Sequence, residues 1–161
     1  MCEYCGCQSV RAVELLTSEH DAVVNLIGEV QRALATGDLD GAAEGTRRIG
    51  AVLGPHTRVE EDALFPPMAD DFPDHVASLR AEHARIEGVL SESADGTPAD
   101  AGWPSRLTQA LRTLRDHILK EQDGLFPAAL ASLGPAEWEA VDETRRQVGT
   151  ALGDVPATAA H

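Results

Sequence analysis

Two stretches of the chain repeat the same order of histidine, glutamate and a Leu-Phe-Pro triplet. HTRVEEDALFPPM begins at His56, and HILKEQDGLFPAA begins at His117. Each is preceded by a Glu-His pair, with His20 lying 36 residues before the first stretch and His83 lying 34 residues before the second. The chain is therefore an internal repeat of one unit, Glu-His followed by HxxxExDxLFP, and its fold must give the two copies matching positions.

The amino-acid composition is that of one acidic domain. With 161 residues, of which 43% are hydrophobic, the chain is long enough to bury a core of its own. Its formal net charge of −14 repels phosphate backbones and anionic lipid surfaces, so we expect neither nucleic acid nor membrane as a partner. No run reaches the roughly 18 apolar residues of a membrane span. The first residues also lack the basic-then-apolar order of a signal peptide, which predicts a cytoplasmic protein.

Apolar residues recur at steps of three and four along most of the chain, which is the period of a helix buried on one face. Only 4% of residues are aromatic, and no segment alternates apolar and polar residues over a strand length. The pattern predicts an all-α fold with five helices, at about 10–36, 39–68, 74–94, 104–131 and 135–151. We expect the first four to form an up-down-up-down four-helix bundle, with Trp138 and Val141 of the short fifth C-terminal helix packed against it.

Local signals refine these boundaries. Ser9 is the expected N-cap of the first helix, because its hydroxyl can accept a hydrogen bond from the first turn. The chain then divides into a cysteine-rich N-terminal segment, a helical domain and a flexible tail, at residues 1–9, 10–152 and 153–161. Gly54 and Pro55 are expected to weaken or kink the second helix just before His56, because proline lacks an N–H and clashes with the preceding turn.

Each of the four bundle helices carries a histidine on its inner, otherwise apolar face. Counting about 1.5 Å per residue from the helix ends brings all four histidines to one level of an antiparallel bundle. The second and fourth helices each add a glutamate four residues after the histidine, a spacing that shares one face. The predicted polar layer consists of His20, His56, Glu60, His83, His117 and Glu121.

This layer has an ordinary interpretation and a functional one. A single histidine on an apolar face is usually satisfied by one hydrogen bond, and a single buried glutamate is usually paired. Six such groups in one layer are different, because burial without compensation costs several kcal/mol for each charged group. Imidazole nitrogens and carboxylate oxygens suit a pair of iron ions, with the carboxylates as bridges and the histidines as terminal ligands.

The order H, HxxxE, H, HxxxE, with Leu-Phe-Pro after both glutamates, resembles the hemerythrin-like (HHE cation-binding) family over roughly residues 10–135. The resemblance implies a non-haem di-iron centre held by the six residues of the layer. Oxygen-carrying hemerythrins have a second histidine one turn after the third-helix histidine, and a bridging aspartate five residues after the fourth-helix histidine. This chain has Glu87 and Gln122 at those places and its carboxylate at Glu121, so it resembles the symmetric single-histidine branch of the family.

Fewer protein ligands leave the ions an additional open or water-filled position, which favours reaction with small oxidants over one docking place for oxygen. The expected function is reaction with peroxide, oxygen or nitric oxide, in oxidative or nitrosative stress defence, with an unidentified electron donor. Catalase-like, peroxidase-like and nitric-oxide-consuming activities are the candidates. The alternative is a reversible oxygen-binding module or a sensor of iron, oxygen or redox state. No residue beyond the metal ligands receives a catalytic role.

Carboxylates around the layer have more than one interpretation. Glu87 lies one turn after the third-helix histidine, and it is either an additional ligand or a bundle-edge glutamate in a surface pair. Glu61 is rotated about 100° from Glu60 on a helix, and it either supports the ligands or is solvated. Asp62 and Asp123 also repeat, but they lie away from the glutamate face, where surface or capping roles are expected.

The three cysteines of the chain, Cys2, Cys5 and Cys7, all lie in the N-terminal sequence MCEYCGCQ. Cytosolic cysteines clustered in this way more often bind metal or carry out redox chemistry than form structural disulfides. They can hold zinc or copper(I) with a fourth ligand from elsewhere, pass electrons to the iron ions, or form a reversible disulfide. A reduced tail without a further role is the remaining interpretation.

Overall fold

The computed structural model of the chain describes residues 6–153, so Cys2 and Cys5 of the predicted N-terminal site lie outside the described residues. The helices within this range are α1 Cys7–Ala35, α2 Leu39–Val59, α3 Phe65–Ala69, α4 Pro73–Leu90, α5 Trp103–Lys120, α6 Phe126–Ser132 and α7 Pro135–Val148. Two π-helical segments, Glu60–Leu64 and Glu121–Leu125, join α2 to α3 and α5 to α6. A 3₁₀ turn, Ser91–Ser93, extends α4.

The helices form the predicted four-helix bundle with a short fifth helix, which confirms the fold class. α1 packs along α2, and α4 packs along α5. α2 continues into α3 through the first π-helical segment, and α5 continues into α6 through the second. α7 lies against α1, α2 and the first π-helical segment, where it buries Trp138 and Val141 as predicted. Within residues 6–153, no helix has both the length and the apolarity needed to cross a bilayer.

The first helix begins earlier than the sequence predicted. α1 starts at Cys7, and its N-cap is Gly6, whose φ of 65° lies in the left-handed region that glycine adopts without strain. The Ser9 hydroxyl donates a hydrogen bond to the Gly6 carbonyl at 2.7 Å. The prediction of Ser9 as N-cap is therefore wrong, because its hydroxyl bonds back to a carbonyl instead of accepting from an N–H. Cys7 is an exposed residue of the helix itself.

The second helix is not interrupted where the sequence predicted a weak point. α2 continues through Gly54 and Pro55 as far as Val59. The departure from α-helical geometry begins at Glu60, five residues after the proline. The histidine at position 56 therefore lies on a regular α-helix, and the irregular turn starts at the glutamate that follows it.

Each π-helical segment begins at a layer glutamate and ends at the leucine of the Leu-Phe-Pro triplet. The backbone N–H of Phe65 donates to the carbonyl of Glu60, and that of Phe126 donates to the carbonyl of Glu121, each five residues back. The proline after each phenylalanine has no N–H for the carbonyl four residues before it, and its ring crowds that carbonyl. The repeated proline is therefore a shared sequence feature of the two widened turns, and irregularities of this kind often mark functional sites.

The polar layer separates two apolar clusters. The distal cluster, on the side away from α7, includes Val23, Ile27, Val30, Ile49, Leu53, Ile86, Leu107, Leu111, Leu114 and Ile118. The basal cluster, on the α7 side, includes Leu16, Val59, Leu64, Phe65, Met68, Leu79, Leu125, Phe126, Trp138 and Val141. On α1, for example, Leu16 belongs to the basal cluster, Val23 belongs to the distal cluster, and His20 lies between them. Two apolar layers therefore enclose the histidines.

The contact between α1 and α2 depends on one glycine. A Cβ at Gly45 would lie 2.6 Å from Cγ2 of Val30, whose branched side chain is stiff, whereas a Cβ at Gly50 would meet no atom within 4 Å. We expect Gly45→Ala to lower the free energy of unfolding by about 1–3 kcal/mol through overpacking. Gly50→Ala, the matched control, should raise it by about 0.5–1 kcal/mol through helix propensity. Urea unfolding of both variants in the same metal state measures this, and equal effects would contradict the close approach.

Candidate metal centre

The six residues of the predicted layer meet in the centre of the bundle, and all of them are buried. Their ligand atoms form two overlapping groups, in each of which the atoms lie within 4.8 Å of one another. The first group is His20, His56, Glu60 and Glu121, and the second group is His83, His117, Glu60 and Glu121. Each group has its own pair of histidines, and the two glutamates belong to both. This is the arrangement needed for two metal positions joined by two carboxylates.

Glu60 faces one histidine of each group. Its Oε1 lies 2.7 Å from Nε2 of His56, and its Oε2 lies 3.2 Å from Nε2 of His83. The two oxygens of this carboxylate are therefore directed to different halves of the centre. Glu60 has the orientation that a bridging ligand needs.

Glu121 occupies the equivalent place in the second repeat. Its Oε1 lies 3.3 Å from Nε2 of His20 and 3.1 Å from Nε2 of His117. Several buried atoms of the layer have no aligned hydrogen-bond partner in spite of these short distances, namely Nε2 of His56, Nε2 of His117 and all four carboxylate oxygens. An unsatisfied buried polar group costs about 1–3 kcal/mol. Coordination of metal ions by these atoms removes that cost, so the donor set fits a binuclear metal centre.

Protons compete with metal for these donors. Burial acts to lower the pKa of His56, but the charge of Glu60 and the hydrogen bond with Glu19 outweigh it and raise the pKa to about 10. Burial likewise opposes the effect of Glu60 on His83, whose pKa is raised to about 9. The pKa of Glu60 lies well below its usual value, because the charges of His56 and His83 outweigh its own desolvation. Metal binding at neutral pH is therefore expected to release protons from His56 and His83.

The outer nitrogens of two histidines are held by the glutamates of the Glu-His pairs. Nδ1 of His56 donates to Glu19 at 3.1 Å, and Nδ1 of His117 donates to Glu82 at 2.8 Å. Each glutamate thus holds the second histidine of its own repeat rather than its sequence neighbour. A proton on Nδ1 leaves the Nε2 lone pair directed to the centre, which is the tautomer that a metal requires. Neither glutamate belongs to the layer predicted from the sequence, although the Glu-His pair in both copies is a signal for them.

The residues that follow the two layer glutamates hold the other two histidines. Nδ1 of His83 donates to Glu61 at 2.9 Å, and Nδ1 of His20 donates to the side-chain oxygen of Gln122 at 3.0 Å. On a regular helix Glu61 would be directed away from the layer, but it lies in the wide turn that begins at Glu60. The structure thus places Glu61 on a histidine, which is one of the two roles that the sequence left open. Gln122 has the corresponding role in the second repeat.

The phenylalanines of the two Leu-Phe-Pro triplets cover the basal side of the layer. Phe65 stacks on His83 and Phe126 stacks on His20, each with ring centroids 5.5 Å apart and planes inclined by 10°. Each phenylalanine belongs to one repeat and covers a histidine of the other. Stacking on one face and a hydrogen bond at Nδ1 together fix the orientation of each ring.

Two cations hold the glutamates that support the histidines. Arg145 of α7 donates to both oxygens of Glu19, at 2.5 and 2.8 Å, and the hydroxyl of Thr150 adds a further hydrogen bond at 2.9 Å. Lys120 of α5 pairs with Glu82. α7 is therefore linked to the layer through Glu19, which binds Arg145 of α7 and His56 of the layer.

A small cavity opens onto the layer from the distal side. Its walls are the apolar side chains of Leu53, Ile86, Leu114 and Ile118 together with Thr57, and its floor contains the four histidines and Glu121. It has room for about one water-sized molecule. Glu87 also lines it, but Glu87 is exposed, belongs to neither ligand group and forms no ion pair with any residue between 6 and 153. The surface pair expected for Glu87 is therefore not formed within that range.

The repeated aspartates take surface positions, as the sequence predicted. Asp62 forms an ion pair with Arg58, one turn earlier on the same helix, at 3.2 Å. Asp123 is exposed. Neither aspartate belongs to the ligand groups.

A four-helix bundle whose centre holds four histidines and two shared glutamates defines a helical-bundle metal-binding protein. The family model of the hemerythrin HHE cation-binding domain matches residues 11–129. The chain therefore belongs to the hemerythrin HHE family, which confirms the resemblance seen in its sequence. Comparisons with curated proteins and with solved structures found no significant match.

Removal of one histidine should reduce the metal capacity of the protein. We expect the unaltered protein to bind two metal ions per chain and His56→Ala to bind at most one, because one group loses a buried donor. His75→Ala is the matched control, since His75 is exposed and lies outside both ligand groups. Metal analysis after anaerobic loading and desalting measures the stoichiometry. Two ions per chain in His56→Ala would show that the ligand assignment is wrong.

The pKa shifts predict how the metal-free protein responds to alkali. Folded pKa values of about 10 for His56 and about 9 for His83 exceed the unfolded value of 6.5. The stability that their protonation contributes is thus complete below pH 6.5 and is lost as pH rises through about 9 and 10. Thermal unfolding of metal-free protein should show Tm falling over this range, and metal-loaded protein should lose less. Equal slopes in the two forms would contradict this prediction.

Proposed function

We propose that this protein holds two non-haem iron ions and reacts with a small oxidant, with hydrogen peroxide as the first candidate. The observation that carries the proposal is the buried set of four histidines and two shared glutamates, in which two imidazole nitrogens and all four carboxylate oxygens lack hydrogen-bond partners. Nitrogen donors with bridging carboxylates suit iron, which would supply the redox equivalents and the open coordination positions. Oxygen and nitric oxide are the other substrates that this chemistry accepts.

The shape of the cavity supports a small uncharged substrate. Its apolar walls and its room for about one water-sized molecule exclude organic substrates from the layer. The exposed carboxylate of Glu87 at the cavity and the acidic net charge of −14 disfavour anionic oxidants. Peroxide, oxygen and nitric oxide meet these conditions in their neutral forms.

The residues of the chain also provide for proton movement. Dismutation of two peroxide molecules gives one oxygen and two waters. One peroxide reduces the other, so no external electron donor is needed, but protons must move from one peroxide to the other. Glu87 is the exposed carboxylate of the cavity, which suits it to pass protons between the cavity and solvent. The buried histidines cannot do so easily, because their Nδ1 protons are already held by Glu19, Glu61, Glu82 and Gln122. Catalase-like turnover in oxidative stress defence is accordingly the activity that we propose.

Addition of peroxide to the iron-loaded protein tests this function. We expect steady evolution of oxygen at half the molar rate of peroxide loss, followed with an oxygen electrode and by absorbance. The His56→Ala variant should lose the activity together with its second metal ion, and His75→Ala should retain it. A stable, reversible oxygenated spectrum without turnover would favour oxygen binding or sensing instead. Consumption of nitric oxide without peroxide turnover would reassign the substrate.

The proton-relay role of Glu87 has its own test. We expect Glu87→Gln to lower the rate of peroxide turnover roughly 100-fold, the lower end of the range for a positioned acid or base. Its metal content should stay unchanged, because Glu87 lies outside both ligand groups. Glu14→Gln is the matched control, since Glu14 is an exposed glutamate that does not line the cavity. A wild-type rate in Glu87→Gln would remove the relay, and loss of a metal ion would make Glu87 a ligand.

A further inference from the structure

The two halves of the metal centre differ in the groups that hold the outer nitrogens of their histidines. In the second group both acceptors are carboxylates, since His83 donates to Glu61 and His117 donates to Glu82. In the first group one acceptor is the carboxylate of Glu19 and the other is the neutral amide oxygen of Gln122. The difference comes from one position of the repeat, the residue directly after the shared glutamate.

An acceptor on Nδ1 changes how strongly the opposite nitrogen binds a metal. A carboxylate draws the Nδ1 proton towards itself and raises the basicity of the ring more than an amide does. Both groups contain two histidines and share Glu60 and Glu121, so these inner atoms do not distinguish them. The imbalance of charge around the centre therefore lies in its outer acceptors.

Nearby cations do not cancel this imbalance. One cation holds the glutamate of each Glu-His pair, Arg145 on Glu19 and Lys120 on Glu82. Arg145 is largely buried and makes two hydrogen bonds, whereas the side chain of Lys120 is 47% exposed, so Glu19 is the more neutralised of the two. Like the neutral amide at position 122, this difference leaves less negative charge on the acceptors of the first group, so it adds to the inequality between the two groups.

Within residues 6–153, no arginine or lysine lies at hydrogen-bond distance from the carboxylate of the remaining acceptor, Glu61. Its nearest cation is Arg80, whose Nη1 lies 3.9 Å from the carboxylate, a distance beyond that of a hydrogen bond. Arg80 hydrogen-bonds the backbone carbonyl of Glu61 instead, at 3.0 Å. Glu61 thus gives the second group a carboxylate acceptor that has no counterpart in the first group.

We propose that the two metal positions are unequal, and that Glu61 and Gln122 are the positioning residues that make them so. The position held by His83 and His117 binds a divalent metal ion first and releases it last, and the position held by His20 and His56 fills second. This inference rests on the binuclear centre of the proposed function. Because changes in such outer partners typically alter metal affinity by 10–100-fold, we expect the two dissociation constants to differ by roughly that factor.

Titration with Co²⁺ tests the proposal without any measurement of activity, since Co²⁺ accepts the same nitrogen and oxygen donors. Competition against a chromogenic chelator should give two separate binding steps in the unaltered chain. Gln122→Glu should strengthen the second step and bring the two together, and Glu61→Gln should weaken the first. Glu14→Gln, which makes the same change of charge as Glu61→Gln at an exposed residue outside both ligand groups, should alter neither step.

Two further variants assign each step to its half of the centre. His83→Gln leaves only the first group with both histidines, and its single ion should bind roughly 10–100-fold more weakly than the single ion of His20→Gln. Adding Gln122→Glu to His83→Gln should recover most of the missing metal affinity. A merely structural role for residue 122 would not produce this recovery. Circular dichroism of each variant checks that the bundle is intact.

Each other outcome has a definite meaning. Two ions bound with indistinguishable affinity, or two steps left unchanged by Gln122→Glu, would overturn the inequality while leaving the binuclear centre in place. A stronger single ion in His83→Gln than in His20→Gln would overturn the assigned order. Failure of the unaltered chain to bind Co²⁺ or Fe²⁺ at all would overturn the proposed function together with this inference.

Discussion

The structure depends on the burial of four imidazoles and two carboxylates between two apolar clusters. Such groups lose hydration that is worth several kcal/mol each when the distal and basal clusters enclose them, and the cavity beside them has room for only about one water-sized molecule. In the metal-free chain, protonated His56 and His83 pair with the buried Glu60 carboxylate and so offset part of this cost; the charge of Glu60 is a main cause of their raised pKa values, which burial alone would lower. Metal ions at the centre would offset it more completely, because they would also satisfy the carboxylate oxygens that have no hydrogen bonds. Metal binding is therefore expected to increase the free energy of unfolding.

Much of the fold and the central layer could be predicted from the sequence, because both follow from periodicity. The steps of three and four in apolar residues set the helices, and the interruption of that pattern at the same level of each helix gave the six residues that the structure brings together. The repeat made this inference possible, because a lone His56 would not have been distinguished from an ordinary core histidine. Helix ends were less predictable: Ser9 is a typical N-cap residue, yet its hydroxyl bonds to a carbonyl.

The surroundings of the layer could not be predicted, because they depend on contacts between helices. Arg145 is one of two adjacent arginines on a short polar helix, and only the docking of α7 brings it to Glu19. Gln122 was read as a departure from a family pattern, whereas in three dimensions it is the hydrogen-bond acceptor of His20. Both contacts depend on how the helices pack together, which the spacing of residues along one helix does not predict. The two wide turns could not be predicted either, since a proline indicates an irregularity but not its form.

Each repeat supplies the groups that orient a histidine of the other repeat, and this exchange determines which positions of the two copies can differ in sequence. Phe65 and Glu61 orient a histidine of the second copy, and Phe126 and Gln122 orient a histidine of the first. One copy alone therefore contains an incomplete environment for its own Glu-His histidine, and an identical partner related by a two-fold axis would be needed to complete it. When the two copies are joined in one chain, their sequences no longer have to be identical. Position 122 can then differ from position 61, which no homodimer of a single copy could achieve.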